Sequence, residues 1–460
     1  MKSVAIIGAG ITGLSAAFYL KRKDVFMTIY EAHNRAGGVI QSVRQNDFLA
    51  EFGPNSILET SSKISELIRD LKLEPRKIYA NAAAKNRYVV RDQKLIAMPS
   101  SQAEFLTTKL FSARAKFALA REPFVPPRRD GVEESIAEFV LRRLNQEFLD
   151  RAIDPFIAGI YAGDPQKLSL QHAFPKLLEA EQKHGSLIKG QLFGASQQKE
   201  NGEISRRGAR MFSFDEGLQV LTDALREQLG DSICLNSSVE KISATANGWT
   251  VQLDENGRKK VAEHSAVIFC GTAFKLAELK IESPPLIDFS PFSEIRHPPV
   301  ASVVLGFPRA AVAHPLDGFG VLVPKIENLK ILGTIFSSSL FPNRAPENFV
   351  TLTTYIGGER QPQLALKSPE ELVAMTREDL GILLGARGKP VFQHVTLFPK
   401  AIPQYNVGYG KFKNLLVEAE SKMPGLFFAG SFRDGISLGD SILSGGHAAQ
   451  RLQDFLQTTN

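Results

Sequence analysis

The chain has 460 residues, of which 43% are hydrophobic and 23% charged, and these values are typical of an ordered globular protein with two or three domains. Only two cysteines are present, Cys234 and Cys270, which excludes a disulfide scaffold and favours a reducing compartment. The formal net charge of +6 favours an anionic membrane surface or a polycarboxylate ligand. Nucleic acid is not predicted as a partner, because there is no run of five basic residues and no recognisable nucleic-acid module.

The first elements in chain order are a strand, a glycine-rich turn and a helix. Residues 4–7 are apolar and predict a buried parallel strand. Gly8 allows the chain to reverse, Gly10 allows the backbone to approach a pyrophosphate, and Gly13 allows the following helix to lie against the sheet. A GxGxxG motif alone is weak evidence, because glycines occur in many turns. The residues assigned here to a dinucleotide cofactor are Gly8, Gly10, Ile11, Thr12 and Gly13.

The segment after the first helix adds the context that the glycine motif needs. Residues 25–30 predict a second strand that ends in Glu31, at the offset of about 20 residues where an acid binds the ribose hydroxyls of an adenine dinucleotide. An arginine and a glycine pair follow, as in flavoproteins rather than in nicotinamide dehydrogenases. We therefore predict bound FAD. The residues assigned to it here are Glu31, Ala32, Arg35, Gly37, Gly38 and Val39.

From the GxGxxG motif through the ExxxRxGG continuation, the sequence resembles the FAD-dependent amine oxidase superfamily. This resemblance implies an α/β fold with a Rossmann-like FAD-binding domain. It also implies that the turn at residues 53–56 lies near the flavin ring, and that the strand at Val239 places a backbone amide on the adenine. The turn residues assigned to the cofactor are Gly53, Pro54, Asn55 and Ser56.

The middle of the chain contains a basic amphipathic segment at residues 105–121. Its apolar residues alternate with lysines and arginines, so a helix here has an apolar surface with a basic border. Such a helix fits an anionic membrane surface, and it fits equally a helix packed inside the protein with its charges solvated. Residues 190–208 are polar and predict a mobile loop, and residues 249–253 and 261–268 predict a hairpin-like pair of strands.

The last forty residues return to the cofactor. Residues 426–430 predict a short buried strand, 431–439 a loop and 441–452 a helix. A helix N-terminus directed at the flavin would stabilise negative charge on the reduced ring, although an ordinary strand, loop and helix fits this segment alone. The predicted FAD domain therefore combines both ends of the chain. The residues assigned to the cofactor here are Gly430, Ser431, Ile436, Ser437 and Leu438.

The sequence contains no motif for covalent catalysis. No cysteine is placed to tether a flavin, so noncovalent FAD is expected, and no metal ligand set is predicted. Oxidation by a flavin needs a correctly placed C–H bond and a shaped apolar cavity rather than a reactive side chain. No apolar stretch reaches the roughly 20 residues of a membrane span. Because the chain opens directly into its first strand, we expect no cleaved leader and a cytoplasmic protein.

Seven segments narrow the resemblance to the protoporphyrinogen IX oxidase family. They are residues 84–90, 158–170, 319–324, 333–346, 353–358, 402–409 and 430–445. This resemblance implies that Arg87 pairs with a substrate propionate, although a surface ion pair is the alternative role for such an arginine. It implies that Leu322 and Ile335 sandwich a pyrrole ring, that Tyr355 lies over another ring, and that the backbone of Gly159 lies close to the reacting macrocycle.

The same resemblance implies three domains. The FAD-binding domain comprises residues 1–80, 206–290 and 405–460, and a mixed-sheet α+β substrate domain comprises residues 81–92 and 291–404. Residues 93–205 form a helical membrane-associating domain. The protein is accordingly expected to lie in the cytoplasm, peripherally associated with the cytoplasmic membrane.

The implied reaction is the six-electron oxidation of protoporphyrinogen IX to protoporphyrin IX, with three molecules of O2 reduced to three of H2O2. Oxidation of coproporphyrinogen III by the same mechanism is the alternative substrate assignment. Two further hypotheses are amine or polyene oxidation by the flavin and a noncatalytic role as a porphyrin carrier. The sequence leaves open whether the chain forms a homodimer and whether a ferrochelatase receives the product directly.

Overall fold

The computed structural model describes residues 3–193 and 209–458. In chain order, the strands are β1 (Ser3–Ile7), β2 (Phe26–Tyr30), β3 (Ser42–Gln45), β4 (Phe48–Glu51), β5 (Ile57–Leu58), β6 (Lys77–Tyr79), β7 (Asn86–Arg91), β8 (Lys94–Ala97), β9 (Met211–Phe214), β10 (Ile233–Cys234), β11 (Ser237–Thr245), β12 (Gly248–Glu255), β13 (Arg258–His264), β14 (Ala266–Phe269), β15 (Lys280–Glu282), β16 (Val300–Pro308), β17 (Gly318–Leu322), β18 (Ile331–Ile335), β19 (Phe349–Gly357), β20 (Phe392–Phe398) and β21 (Leu426–Phe428).

The α-helices are α1 (Ile11–Lys21), α2 (Ser62–Asp70), α3 (Gln102–Thr107), α4 (Ala113–Arg121), α5 (Ile136–Arg143), α6 (Gln146–Phe148), α7 (Asp154–Tyr161), α8 (Leu170–Ala173), α9 (Pro175–His184), α10 (Leu187–Phe193), α11 (Gln219–Leu229), α12 (Ala273–Glu278), α13 (Ser337–Leu340), α14 (Pro362–Ala365), α15 (Pro369–Leu384), α16 (Gly410–Lys422) and α17 (Leu438–Thr458). The loop predicted at residues 190–208 lies outside the described residues from 194 onward, and residues 190–193 end α10.

A five-stranded parallel sheet joins the two ends of the chain. Its strand order is β10-β2-β1-β14-β21, and β1 and β14 are fully paired at its centre. Helices α1 and α17 pack closely on one another beside this sheet. The first strand and the last therefore belong to one layer, as the sequence predicts.

The hairpin expected at residues 249–253 and 261–268 needs correction. Strands β12 and β13 form the antiparallel hairpin, and β13 ends at His264. The apolar residues that follow belong to β14, which pairs in parallel with β1 and β21. One apolar run thus divides between two sheets, because Ser265 N donates to Ser3 O and directs the chain into the parallel sheet.

A seven-stranded mixed sheet forms the second layer, with strand order β20-β16-β19-β18-β17-β7-β8. Helix α15 covers one face, where a fully apolar cluster that includes Val303, Leu352 and Leu380 is buried. The other face is turned towards α7 and β4. Three smaller sheets complete the fold, with orders β13-β12-β11-β15, β5-β9-β6 and β3-β4.

The segment 105–121 is not the single helix that its sequence pattern predicts. Helix α3 ends at Thr107 and α4 begins at Ala113, because Phe111 between them is buried and stacks on Phe148 with ring centroids 4.5 Å apart. Lys116 of α4 donates to the carbonyls of Leu106 and Thr108 and so fixes the angle between the two helices.

A buried ion network holds the rest of the helical region together. The Arg143 guanidinium lies 2.5 Å from carboxylate oxygens of both Glu122 and Glu181, and all three side chains are fully buried. Ser186 donates to Glu122 at 2.6 Å, which anchors the start of α10. Within residues 3–193 and 209–458, no helix is both long enough and apolar enough to cross a membrane.

The predicted domain boundaries remain predictions, with one detail supplied by the sheet. The strands β7 and β16 to β20 lie in the two segments assigned to the substrate domain. Strand β8 pairs with β7, so this sheet extends to Ala97, beyond residue 92.

Replacement of Gly445 by alanine should loosen the contact between the two ends of the chain. A Cβ there would lie 2.3 Å from Thr12 O on α1, so one helix must move, at a cost of about 1–3 kcal/mol. We expect the melting temperature of Gly445→Ala to be lower than that of the wild type. In the control, Gly381→Ala on α15, the new Cβ has its nearest neighbour at 3.5 Å and should leave stability unchanged or raised. Equal melting temperatures for the Gly445 variant and the wild type would contradict this packing.

Candidate active site

The turn between β1 and α1 provides a cradle of backbone donors. Gly8 has φ +103° and donates to Tyr30 O at 2.8 Å, and an added Cβ at Gly13 would lie 2.0 Å from Gly8 O. Gly10 precedes α1 without a side-chain cap, and an added Cβ there would meet no atom within 4 Å. The N-terminus of α1, where Ile11 and Thr12 lie, therefore faces open space with its N–H groups available to an anion.

Glu31 lies at the end of β2 beside this turn, and its carboxylate is held by three donors. It accepts hydrogen bonds from Ala9 N at 2.8 Å and His33 N at 3.0 Å, and His33 Nδ1 lies 2.8 Å away. Ser237 N donates to Glu31 O, so β11, the strand that contains Val239, starts beside Glu31. His33 was not predicted from the sequence, where its only signal is its position two residues after the strand-end acid.

Arg35 encloses the second glycine turn. Its guanidinium donates to the carbonyls of Ala36, Gly38 and Ile40. An added Cβ at Gly38 would lie 3.2 Å from Gly10 Cα, so the two glycine turns lie against each other. Both assigned turns therefore form one surface next to Glu31.

The turn at residues 53–56 connects this surface to the seven-stranded sheet. Asn55 Nδ2 donates to the Tyr355 hydroxyl at 2.5 Å, and that hydroxyl donates to Gly53 O at 3.2 Å. Burial raises the pKa of Tyr355 far above its usual value, so it remains a neutral donor. An added Cβ at Gly53 would lie 2.9 Å from Val39 O, which places this turn against the glycine-pair segment.

A second group of hydrogen bonds holds the loop that precedes α17. Gly430 N donates to Ser444 Oγ at 2.8 Å, and the Tyr405 hydroxyl donates to Ser431 O and accepts from Gly435 N. The sequence predicted that the last helix begins at residue 441, but α17 begins at Leu438. It begins earlier because Ser437 and Asp440 form a reciprocal cap there. Tyr405, which was not assigned to the site from the sequence, lies in the family-like segment 402–409.

The four residues assigned to the substrate lie on one face of the seven-stranded sheet. Paired positions run across it in two rows, one with Arg87, Gly320, Ile335 and Thr353, and the other with Val89, Leu322, Gly333 and Tyr355. Paired residues in adjacent strands project from the same side of a sheet. Arg87, Leu322, Ile335 and Tyr355 therefore share the face opposite α15.

Gly159 of α7 lies against this face. An added Cβ at Gly159 would lie 2.5 Å from Leu322 Cδ2. The N-terminus of α7 is fixed to the sheet region by Asp154, whose carboxylate accepts from Lys325 N and from the Arg360 guanidinium, both at 2.8 Å. Thus all five residues assigned to substrate chemistry are brought together from five separate elements.

Arg87 has no ion pair or hydrogen bond through its side chain to any residue that the structure describes. Its guanidinium carbon lies 5.8 Å from the ring centroid of Phe319, and the residue is exposed. An exposed guanidinium that lies over a ring and has no carboxylate partner is suited to bind a ligand carboxylate.

Glu51 and Arg344 form a buried pair that was not predicted from the sequence. Their closest atoms are 3.7 Å apart, and their side chains are 3% and 2% exposed. Glu51 also accepts from Ser42 Oγ at 2.6 Å and Leu218 N at 2.9 Å. Burial raises the pKa of Glu51 to about 7 despite these donors. The two residues are far apart in sequence, and no local pattern relates them.

Two hydroxyls on the site face have no hydrogen-bond partner among the described residues. They belong to Ser302 and Thr396, which are paired with each other, and Ser302 is also paired with Tyr355. An unsatisfied buried hydroxyl costs about 1–3 kcal/mol. Together with the donor cradle at α1, these orphaned groups fit a site that takes up a bound cofactor.

Comparison with known proteins defines the class. The family model of flavin-containing amine oxidoreductases matches residues 11–453, and the chain belongs to this family. It is therefore a flavin-dependent oxidoreductase.

Particular relatives narrow the comparison. The chain is 34% identical to protoporphyrinogen oxidase 2, chloroplastic/mitochondrial, of Arabidopsis thaliana, over 99% of this chain and 95% of that protein. It is 30% identical to coproporphyrinogen III oxidase of Bacillus subtilis (strain 168), over 99% and 98% of the two chains.

Solved structures agree with the fold. A crystal structure described as a candidate protoporphyrinogen oxidase from Exiguobacterium sp. 255-15 superposes with a TM-score of 0.81 at 22% identity, and covers 99% of both chains. Reduced UDP-galactopyranose mutase gives a TM-score of 0.74 at 15% identity, over 99% of this chain and 96% of that one. At these identities, the two structures establish the fold alone.

Replacement of Glu51 by glutamine should change how stability depends on pH. In the folded protein the pKa of Glu51 is raised from 4.5 to about 7, so its contribution to stability is fully present below 4.5 and is lost as pH rises through 7. Between pH 4.5 and about 7, the free energy of unfolding of the wild type should therefore fall by on the order of 3 kcal/mol relative to that of Glu51→Gln. Melting temperatures of both proteins across this pH range provide the measurement.

Glu59→Gln is the matched control. Burial of Glu59 opposes its ionisation, but hydrogen bonds from Lys77 and Ser65 outweigh burial and lower its pKa. Stability from Glu59 is therefore present above 4.5 and is lost as pH falls below it. A melting-temperature difference between wild type and Glu51→Gln that stays constant with pH would contradict the raised pKa of Glu51.

Proposed function

We propose that this chain binds FAD noncovalently and oxidises protoporphyrinogen IX to protoporphyrin IX, with three molecules of O2 reduced to H2O2. The single observation that carries the proposal is the unpartnered guanidinium of Arg87, among the described residues, on the sheet face that also carries Leu322, Ile335 and Tyr355. The relatives named protoporphyrinogen oxidase and coproporphyrinogen III oxidase, which match nearly the whole chain, support the same reaction class.

The cofactor residues are assigned from their positions. The cradle at the start of α1 takes the pyrophosphate, Glu31 takes the ribose hydroxyls, and Val239 lies on the adenine side. The turn at residues 53–56 and the loop before α17 border the flavin ring. Bound there, flavin supplies a two-electron acceptor that O2 reoxidises.

The substrate residues bind and orient rather than react. A porphyrinogen is a flexible and largely apolar macrocycle with anionic propionates, so it requires an apolar surface and a fixed cation. Leu322 and Ile335 supply the apolar surface, and Arg87 supplies a planar fork that matches a carboxylate. Because Gly159 has no side chain, Leu322 packs directly on its backbone, and any larger residue there would displace Leu322.

Coproporphyrinogen III is the second candidate substrate. It has four propionates instead of two, and relatives with that printed activity are 30–31% identical to this chain, against 34% for two of the plant protoporphyrinogen oxidases. Purified yellow protein should be given both porphyrinogens in parallel, and porphyrin fluorescence followed. Faster turnover of protoporphyrinogen IX supports the proposal, and preference for coproporphyrinogen III replaces the substrate assignment.

Absence of turnover with both compounds would overturn the proposed reaction. Turnover of amines or polyenes instead would assign another oxidase activity. Binding of porphyrin without reduction of the flavin would assign a carrier.

We also propose that the helical region contacts an anionic membrane surface, with the protein on the cytoplasmic side. Three apolar side chains project from α3, α4 and the turn after α4, with Leu106 69%, Phe117 64% and Phe124 85% exposed. Two exposed arginines, Arg114 and Arg121, lie on α4 together with Phe117. Apolar side chains bordered by cations favour the boundary between headgroups and acyl chains.

Replacement of Arg87 by alanine should raise KM by about 10- to 100-fold with little change in kcat, because a charge-assisted pair contributes about 1.5–3 kcal/mol to binding. Arg87→Lys should recover part of the loss, since a point charge replaces the planar fork. Steady-state kinetics with protoporphyrinogen IX provide the measurement. Arg258→Ala is the control, because Arg258 is also an exposed arginine but lies on β13, outside the seven-stranded sheet. An unchanged KM for Arg87→Ala would remove the propionate assignment.

A variant with Leu106, Phe117 and Phe124 all changed to serine should bind anionic vesicles at least about 10-fold more weakly, because it loses three apolar side chains. Co-sedimentation with phosphatidylglycerol vesicles measures this. Val261→Ser is the matched control, because Val261 is 66% exposed on β13, outside the helical region. Equal binding by the triple variant and the wild type would place any membrane contact elsewhere.

A further inference from the structure

A cavity lies between the predicted flavin turn and the substrate face of the sheet. Asn55 and Ser56 line it from the turn, Phe319 and Ile335 line it from the sheet, and Glu51 and Arg344 also line it. Its volume of about 10 Å³ is close to the least that holds one water. The polar side chains of Asn55, Glu51 and Arg344 in this lining are suitable hydrogen-bond partners for such a water.

The cavity connects two groups that the proposed function treats separately. Asn55 lines it and also donates to the hydroxyl of Tyr355, which faces the predicted macrocycle site. Glu51 also lines it and ends β4, immediately before the flavin turn in sequence. The lining of this cavity therefore contains both a group hydrogen-bonded to the substrate face and one buried carboxylate.

Arg344, in the loop after α13, is the charged side chain next to Glu51. Arg44 on β3, together with Asp215 and Glu216 in the turn after β9, acts on the Arg344 guanidinium. Arg44 pairs with Glu216, and Asp215 pairs with Arg76. Tyr355 is the other titratable group that interacts with Glu51. Arg344 is thus the cation nearest to Glu51 among the described residues, at 3.7 Å, without a direct hydrogen bond to it.

We infer that Glu51 accepts, through a water in this cavity, the proton that a substrate pyrrole N–H loses in each oxidation. The inference rests on the proposed function. In each step a C–H bond breaks and its hydride leaves to the bound flavin, while the N–H bond breaks and its electron pair forms the new C=N bond. The proton converts the Glu51 carboxylate to the carboxylic acid, which then returns it to solvent through the water. Glu51 is thus a proton-accepting residue that acts through water without contact with the macrocycle.

The ionisation of Glu51 suits this role. Burial raises its pKa to about 7, so near neutral pH it both accepts and returns a proton. A group of this kind is effective when its pKa lies near the working pH. Below pH 7 the carboxyl is already protonated and cannot accept, so turnover should fall as pH decreases through 7.

The test is the pH profile of kcat with protoporphyrinogen IX for wild type, Glu51→Gln and Ser42→Ala. The wild type should lose activity in acid with a midpoint near 7. Glu51→Gln should lower kcat by about 100-fold, change KM little and lose that acid limb. Ser42→Ala removes a donor that lowers the pKa of Glu51, so its acid limb should move to higher pH.

Glu59→Gln is the control, because Glu59 is also buried, accepts from Ser65 and Lys77, and lies outside the cavity lining. Its profile should match the wild type. Infrared spectra provide a readout independent of turnover, since a carboxylic-acid carbonyl band present at about pH 5 should disappear by about pH 9 and be absent from Glu51→Gln.

An unshifted acid limb in both Glu51→Gln and Ser42→Ala overturns the inference and leaves the proposed function intact. If Glu51→Gln does not fold, Ser42→Ala and the infrared titration still decide. No porphyrinogen turnover by the wild type overturns both proposals.

Discussion

The register of the seven-stranded sheet is the constraint on which the site depends. One face must bury the apolar cluster under α15, so every alternate residue of the neighbouring strands is directed to the other face. A slip of one residue in β17 or β18 would turn Leu322 or Ile335 towards α15 and bring Val321 or Thr334 to the site face in its place. Packing on one side of the sheet thus determines the chemistry on the other.

A small set of hydrogen bonds attaches this face to the predicted cofactor site. Tyr355 and Asn55 join β19 to the turn at Gly53, and Glu51 at the start of that turn pairs with Arg344 from the substrate region. Such buried polar contacts are demanding, because a lost partner leaves an unsatisfied group in a medium of low dielectric constant. They fix the distance between the flavin turn and the substrate face, and this distance matters for an oxidation that needs a correctly placed C–H bond.

Local patterns in the sequence predicted the first strand, its glycine turn, α1 and Glu31, because each depends on residues close to it along the chain. The break between α3 and α4 was not predictable, since it depends on the contact of Phe111 with Phe148. Family resemblance predicted substrate roles for Arg87 and Tyr355, but neither spacing nor periodicity relates Asn55 to a tyrosine 300 residues later. The pairing of Glu51 with Arg344 could not be predicted from the sequence, because neither residue lies near the other along the chain and nothing local marks either as buried. Long-range pairing, which tertiary structure alone supplies, accounts for these omissions.

The central claim is that a flavin bound beside this sheet face accepts hydride from a porphyrinogen. Anaerobic mixing of the purified holoprotein with protoporphyrinogen IX tests it most directly. Loss of the yellow flavin absorbance, with porphyrin fluorescence appearing at the same rate, is the predicted result. A flavin that stays oxidised with the porphyrinogen, although dithionite reduces it readily, would contradict the account.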